Sequence, residues 1–193
     1  MSPKKTRSSG PGGKADTHVA LLRGINVGGK NKLPMDELVG LFAGAGCSDV
    51  KTYIQSGNVV FRATPKIATR LAERVSERIE RSLGLRVPVV LRSAQELERV
   101  ARTNPFLAAG ADPEVLHVMF LADQPAKAAV TGLDPKRSPP DEFAVVGREI
   151  YLRCPQGMAR TKLTNAYFDA KLATISTVRN WRTVTKLIEL ARG

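Results

Sequence analysis

Apolar positions divide the chain into short strands and amphipathic helices. In the first part, apolar runs predict strands over about 18–27, 50–54, 59–62 and 85–92. Helical periodicity predicts one helix from near Pro34 to Gly46 and a second from Pro65 to Leu83. The resulting order is β-α-β-β-α-β, which is the split βαβ or ferredoxin-like arrangement.

The second part of the chain repeats this pattern in outline. His117–Leu121 resembles His18–Leu22 at an offset of 99 residues, and Glu149–Arg153 resembles Asn58–Arg62 at an offset of 91. These offsets predict a duplication with one small insertion or deletion, although two generic βαββ units could also match by coincidence. The remaining predicted elements are helices over 125–131, 163–172 and 178–191 and a strand over 143–146.

Together the patterns predict an α+β protein of two tandem ferredoxin-like (βαββαβ-type) halves with extra C-terminal helices. Residues 1–17 are rich in Ser, Gly, Pro and Lys and predict a disordered basic tail. Residues 18–92 form the predicted first half, 93–114 a connecting helix and linker, and 115–193 the second half with the C-terminal helices. Ser93 and Glu96 predict a capping box at the start of the connecting helix.

The net charge of +12 is concentrated at the two ends of the chain, because residues 1–17 and 153–193 carry nine of these charges. A basic excess favours anionic partners such as nucleic acid or phosphorylated small molecules, but a solvated basic surface explains the same composition. No apolar run approaches the ~18 residues of a membrane span, and no secretory signal is visible, so we expect a cytoplasmic protein without membrane contact.

Two histidines and two cysteines are scattered along the chain, and no zinc-type spacing links them. We expect Cys47 and Cys154 to be buried free thiols. The sequence indicates no metal site and leaves any cofactor unknown.

Several ordered blocks carry a family resemblance. They are 21–29 (LLRGINVGG) with Lys32 and Met35, 53–61 (YIQSGNVVF), 104–106 (NPF), 161–165 (TKLTN), and 177–187 (TVRNWRTVTKL). Together these blocks closely resemble the family of uncharacterised bacterial proteins called domain of unknown function 1697, over roughly residues 18–191. The resemblance implies an α+β fold of two ferredoxin-like halves, and no reaction, substrate or cofactor.

The glycine-rich segment after the first strand partly matches a phosphate-binding P-loop. Gly24-x4-Gly29-Lys30 fits the opening of that motif, but Asn31 replaces the Mg²⁺-binding hydroxyl and Pro34 delays the helix. A nucleoside triphosphatase is therefore not predicted. Backbone N–H groups with Lys30 and Lys32 near a helix N-terminus could still form an anion site, or the glycines serve only a tight turn.

Two neighbouring segments offer further polar candidates. Arg23 and Asn26 flank the end of the first strand, where they could contact a ligand or cap the loop. Ser56 and Asn58 lie at a predicted hairpin tip, where they could bind a ligand or serve turn chemistry alone.

The C-terminal region places basic residues before two successive predicted helices. Lys162 precedes the first, and Arg179 opens the second. Since cations oppose the helix dipole there, a bound anion would neutralise them. The alternative is a solvated face formed by Arg179, Arg182 and Lys186, opposite a core anchor at Trp181.

The leading hypothesis is a cytosolic binding module for an anionic ligand, either a phosphorylated small molecule or nucleic acid. The alternatives are an enzyme acting on a phosphorylated or nucleotide-like substrate through the same pocket, and an interaction protein in which these residues are structural. The candidate ligand-binding residues are Arg23, Gly24, Asn26, Gly28, Gly29, Lys30, Lys32, Ser56, Asn58, Lys162, Asn165, Arg179, Asn180 and Lys186. The central strands lack the aromatic residues that stack bases, so nucleic-acid binding would be electrostatic.

Overall fold

The computed structural model describes residues 13–29 and 31–193, and it shows two four-stranded antiparallel sheets with several helices. The strands are β1 (Asp16–Leu22), β2 (Ser48–Tyr53), β3 (Asn58–Ala63), β4 (Val89–Ser93), β5 (Leu116–Leu121), β6 (Glu142–Val146), β7 (Glu149–Arg153) and β8 (Ser176–Asn180). The helices are α1 (Met35–Gly44), α2 (Pro65–Ala68), α3 (Leu71–Leu83), α4 (Ala94–Arg102), α5 (Pro105–Ala108), α6 (Lys127–Thr131), α7 (Asn165–Leu172) and α8 (Trp181–Arg192). A short 3₁₀ helix covers Pro113–Val115. Among these described residues, no helix is both long and apolar enough to cross a membrane.

The two sheets have the same strand order and matching registers. The first sheet is ordered β2-β3-β1-β4 and the second β6-β7-β5-β8, with every neighbouring pair antiparallel. His18 in β1 faces Phe61 and Ser93, whereas His117 in β5 faces Leu152 and Asn180. Each position in the central strands of one sheet therefore has a corresponding position in the other.

Both faces of each sheet are covered. In β1, Ala20 and Leu22 belong to a core with α1 and α3, while Val19 and Leu21 belong to a central core shared with the second sheet. The central core is filled by α4 and α8, and α8 contacts strands of both sheets. A third core lies between the outer face of the second sheet and α7. The sheet faces are thus closed to base stacking by packed helices.

Several predicted boundaries are displaced. The first strand was expected over 18–27, but β1 ends at Leu22 and begins at Asp16, within the segment predicted to be a disordered tail. The first twelve residues of that tail lie outside the described residues. The fourth strand begins at Val89 rather than residue 85, directly after Pro88. The helix predicted over 65–83 is divided into α2 and α3, because Arg70 at the break has a φ of −115°.

The most consequential correction concerns the C-terminal region. A helix was predicted over 178–191, but residues 176–180 form β8 and the helix starts at Trp181. The β-branched Thr177 and Val178 favour an extended backbone, and β8 pairs with β5 along its full length. The side chain of Asn180 then caps α8 by accepting a hydrogen bond from Thr183 N at 2.8 Å. Arg179 consequently lies on a strand and not on an exposed helical face.

The two cysteines are free and buried, as predicted. Burial raises the pKa of the Cys47 thiol and of the Cys154 thiol to about 11. Both side chains therefore stay protonated at neutral pH and behave as small apolar residues of the core.

The two corresponding histidines should make stability sensitive to mild acid. Burial lowers the pKa of His18 and of His117 below the ordinary value of 6.5, outweighing the attraction of Asp16 and Glu96 for a charged His18. As the pH falls below 6.5, the unfolded chain takes up protons before the folded protein does, so the free energy of unfolding decreases. Urea unfolding at pH 7.5 and 5.5 should show this decrease, and His18→Gln and His117→Gln should each reduce it. An unchanged pH dependence in both variants would assign the effect to other groups.

Candidate functional site

Four of the segments singled out in the sequence meet at one cleft of about 470 Å³. It lies between the loop after β1, the β2–β3 turn, the start of α7, and β8 with the first turn of α8. We call it the Arg179 cleft. Its lining residues are Leu22, Arg23, Gly24, Ile25, Val27, Ile54, Ser56, Asn165, Thr177, Val178, Arg179, Asn180 and Thr183.

Arg179 forms one wall of this cleft and is only 9% exposed. Its guanidinium donates hydrogen bonds to groups of both sheets: Asn58 Oδ1 at 2.6 Å, Leu22 O at 2.7 Å, Thr177 Oγ1 at 2.8 Å, Val178 O at 2.8 Å, Ser56 O at 3.2 Å and Gly57 O at 3.3 Å. The side chain therefore ties β8 of the second sheet to the β2–β3 hairpin of the first.

The partners of Arg179 are all neutral. Among the described residues, none of the ion pairs includes this guanidinium. Burial lowers the pKa of Arg179 to about 10, and no neighbouring charge offsets that effect. The group remains protonated at neutral pH, so the cleft wall carries a desolvated positive charge without a counter-ion.

Arg92 occupies the corresponding position in the first sheet, since it faces Val19 in β1 as Arg179 faces Val118 in β5. It is 1% exposed and donates from Nη2 to Leu121 O at 2.8 Å. Its Nε, however, donates to a carboxylate oxygen of Glu149 at 2.8 Å. Arg92 therefore has a carboxylate partner, whereas Arg179 has none within the described part of the chain.

The second cation in the cleft is Arg23, whose charge is already paired. Arg23 Nη1 forms an ion pair with Asp169 of α7 and also donates to Ser176 O at 3.2 Å. Ser176 Oγ donates to the same carboxylate and accepts from Asn165 Nδ2 at 2.8 Å. This chain of contacts is a second link between the two sheets, and it contributes little net charge to the cleft.

The candidate residues Asn26 and Asn58 use their side-chain amides in hydrogen bonds to other groups of the protein. Asn26 Nδ2 donates to Leu33 O at 3.0 Å and Gln55 O at 2.9 Å, while its Oδ1 accepts from Leu33 N. Asn58 is fully buried and donates to Tyr53 O at 3.1 Å while accepting from Arg179. Of the two interpretations of Asn26, loop capping is the one its contacts satisfy.

The glycine loop is divided between two depressions. Gly24, Gly28 and Gly29 have φ values of +72°, +57° and +76°, so the tight turn requires them whatever the loop binds. Gly24 lines the Arg179 cleft, whereas Gly29 and Lys32 line a separate depression of about 430 Å³. Lys30 lies outside the described residues.

Two predicted cations lie away from the cleft. Lys162 is exposed in the loop before α7 and does not line it. Lys186 lies on α8 with its side chain 45% exposed, and its Nζ pairs with Glu189 Oε2 at 2.9 Å. The structure thus brings together Arg23, Gly24, Ser56, Asn165, Arg179 and Asn180.

Thr177 and Thr183 also line the cleft, although neither was selected from the sequence as a candidate. Thr183 is the third residue after the α8 cap, the position that Glu96 has in the Ser93 capping box of α4. Aligning these two caps, at an offset of 87 residues, would have revealed both β8 and the place of Thr183.

Comparison with known proteins gives a fold and a family. The conserved bacterial protein SP0830 from Streptococcus pneumoniae is similar in structure, with a TM-score of 0.71 and 22% identity over 92% of this chain and 99% of that chain. At this identity the likeness concerns the fold alone. No curated protein matches the chain significantly. A family model described as "Protein of unknown function (DUF1697)" matches residues 15–151, well over half of the sequence, and the chain belongs to that family.

Proposed function

We propose that the protein is a cytoplasmic module that binds a small anionic ligand in the Arg179 cleft. The observation that carries this proposal is the buried Arg179 guanidinium, which lines the cleft without a carboxylate partner among the described residues. Desolvating a charge costs several kcal/mol unless an opposite charge compensates it. A bound anion would supply that compensation.

Other features of the cleft support the same proposal. The first turn of α8 lines it through Asn180 and Thr183, and the positive end of a helix dipole attracts anions. Asn165 and Ser56 add polar groups to the lining. A volume of about 470 Å³ suits a small molecule.

The fold gives the cleft its place in the molecule. We propose that each sheet with its helices is one ferredoxin-like half, which the β-α-β-β-α-β element order and the shared strand order support. The cleft then lies where the last strand of the second half meets the hairpin of the first. It is a site between halves, a common location for ligand pockets.

The contacts favour a small ligand over nucleic acid. Lys162 and Lys186 lie outside the cleft and Arg23 is paired with Asp169, so these groups form no continuous basic track. An enzyme using the same pocket would need a proton acceptor there. The charged side chains that line the cleft are the cations Arg23 and Arg179, which favours binding over acid–base chemistry.

The Thr183→Glu variant tests the proposal. Glutamate at this position would extend the Asn180 cap into a capping box, as Glu96 does for α4, so the fold should be kept. Its carboxylate would enter the cleft beside Arg179 and compete with the ligand. We expect phosphate, glucose 6-phosphate or acetate to raise the melting temperature of the wild type, and the same anion to bind Thr183→Glu at least tenfold more weakly.

Thr183→Gln is the matched variant, because glutamine has the same size and capping ability without the charge. It fills the same part of the cleft, so it should weaken anion binding less than Thr183→Glu does, and the difference between the two variants measures the effect of the charge. If Thr183→Glu and the wild type respond equally to a binding anion, the anion does not occupy the Arg179 cleft.

A further inference from the structure

The surroundings of Arg92 and Arg179 differ by two carboxylates. Beside Arg92, Glu149 accepts from Arg92 Nε, and Glu96 forms an ion pair with Arg148. The corresponding positions beside Arg179 hold neutral residues. Asn58 replaces Glu149, since it faces Leu21 in β1 as Glu149 faces Phe120 in β5.

The other two replacements remove an ion pair. Gly57 corresponds to Arg148, because each directly precedes the residue compared above. Thr183 corresponds to Glu96, because each is the third residue after its helix cap. A long cation and its carboxylate partner are thus replaced by a glycine and a threonine. Of these two neutral residues, Thr183 lines the Arg179 cleft, at the helix position that Glu96 has in α4.

The charges at these positions indicate the charge of the ligand group that would balance Arg179. The four positions Arg92, Arg148, Glu96 and Glu149 hold two cations and two carboxylates and are balanced among themselves. The Arg179 site contains one cation and no carboxylate at the corresponding positions. One negative charge completes it. A phosphate monoester carries about −1.5 to −2 at pH 7 and would exceed this requirement, whereas a carboxylate matches it.

The Arg92 site also indicates where the negative charge of the ligand would lie. The Glu96 carboxylate lies at the N-terminus of α4 and accepts from Ser93 N at 2.8 Å. In the Arg179 cleft, the corresponding N-terminus of α8 is lined by Asn180 and Thr183, neither of which is acidic. A ligand carboxylate at this point would face both the helix N-terminus and the buried guanidinium.

The rim of the cleft is apolar. Val27 is 63% exposed and Ile54 is 51% exposed, and both line the Arg179 cleft. Exposed aliphatic side chains that line a charged cleft offer a contact surface to a ligand with an apolar part. Inorganic ions and sugar phosphates would leave these two side chains in water.

We infer that the ligand of the Arg179 cleft is an organic monocarboxylate with an apolar body. The ligand carboxylate takes the place that Glu96 holds in the Arg92 site, and the apolar body covers Val27 and Ile54. This inference rests on the proposed function and specifies the ligand class. It also accounts for a cleft that combines a single unbalanced charge with a hydrophobic rim.

The experiment is a titration of the whole protein with acetate, butyrate, hexanoate and octanoate, with inorganic phosphate and hexylamine in parallel. We expect affinity to rise about three- to fourfold for each methylene that reaches the rim, and hexylamine to leave the protein unaffected. The double variant Val27→Ser/Ile54→Ser should flatten the series. Val146→Ser, which changes an exposed aliphatic residue beside the Arg92 site, should leave it unchanged.

The outcomes separate the two proposals. Binding of phosphate but not of carboxylates, with sensitivity to Thr183→Glu, would overturn the ligand class and leave the anion site standing. A carboxylate series without length dependence would overturn the role of Val27 and Ile54. If none of these anions binds the wild type, both proposals fail.

Discussion

Replacing Arg179 by methionine should lower the free energy of unfolding by about 4 kcal/mol. Methionine keeps much of the length and apolar volume of the side chain but donates no hydrogen bonds. The carbonyl groups of Leu22 and Ser56 and the side-chain oxygen of Asn58 would lose a donor, at a cost of about 1–3 kcal/mol for each buried group left unsatisfied. Gly57 O, in contrast, still accepts from Leu22 N. Part of that cost is offset because a desolvated charge is also removed.

Urea unfolding followed by circular dichroism measures this loss. Arg182→Met is the matched control, because Arg182 is an exposed arginine three positions further along the chain. It should change the free energy of unfolding by no more than about 0.5 kcal/mol. Equal losses in the two variants would contradict the role of Arg179 as the link between β8 and the hairpin.

Gly57→Ala should cost about 3 kcal/mol. A Cβ atom on Gly57 would lie 2.7 Å from Leu22 Cβ and 3.0 Å from Ile25 Cδ1. Both neighbours are buried in the first core, so neither can move away without disturbing its packing. The φ of +77° at this position adds a strain of about 1 kcal/mol for any L side chain.

Gly28→Ala separates the two contributions, since Gly28 has a φ of +57° but no atom within 4 Å of a Cβ. It should cost only the backbone strain, about 1 kcal/mol. Thermal unfolding of both variants gives the comparison. A Gly57→Ala protein as stable as Gly28→Ala would show that the hairpin can shift away from Leu22.

Local patterns in the sequence predicted much of the fold. The Ser93–Glu96 capping box is present, and so are the β2–β3 and β6–β7 hairpins. The offsets of 99 and 91 residues recur in the strand registers. The strand β8 was missed because its five residues adjoin a strongly amphipathic helix, and the helical periodicity of α8 was extended backwards through Arg179.

The site was less accessible to sequence reasoning than the fold. The segments that meet at the cleft were identified from their residue types, but Arg179 was expected to lie at the start of a helix, either binding an anion or on a solvated basic face. Its burial depends on hydrogen bonds to Asn58 and Leu22, which are 121 and 157 residues away in the chain. Contacts of this separation leave no local periodicity. For the same reason the pairing of Arg23 with Asp169 could not be anticipated.

The reciprocal placement of Arg92 and Arg179 has a consequence for how the two sites can change. Each arginine leaves the last strand of one sheet and holds the hairpin end of the other. In a symmetric dimer of identical chains, any substitution would alter both arginine sites at once. A single continuous chain removes that constraint. The Arg92 site can keep its carboxylates and serve only to hold the two sheets together. The Arg179 site can lose the corresponding carboxylates and acquire a different role.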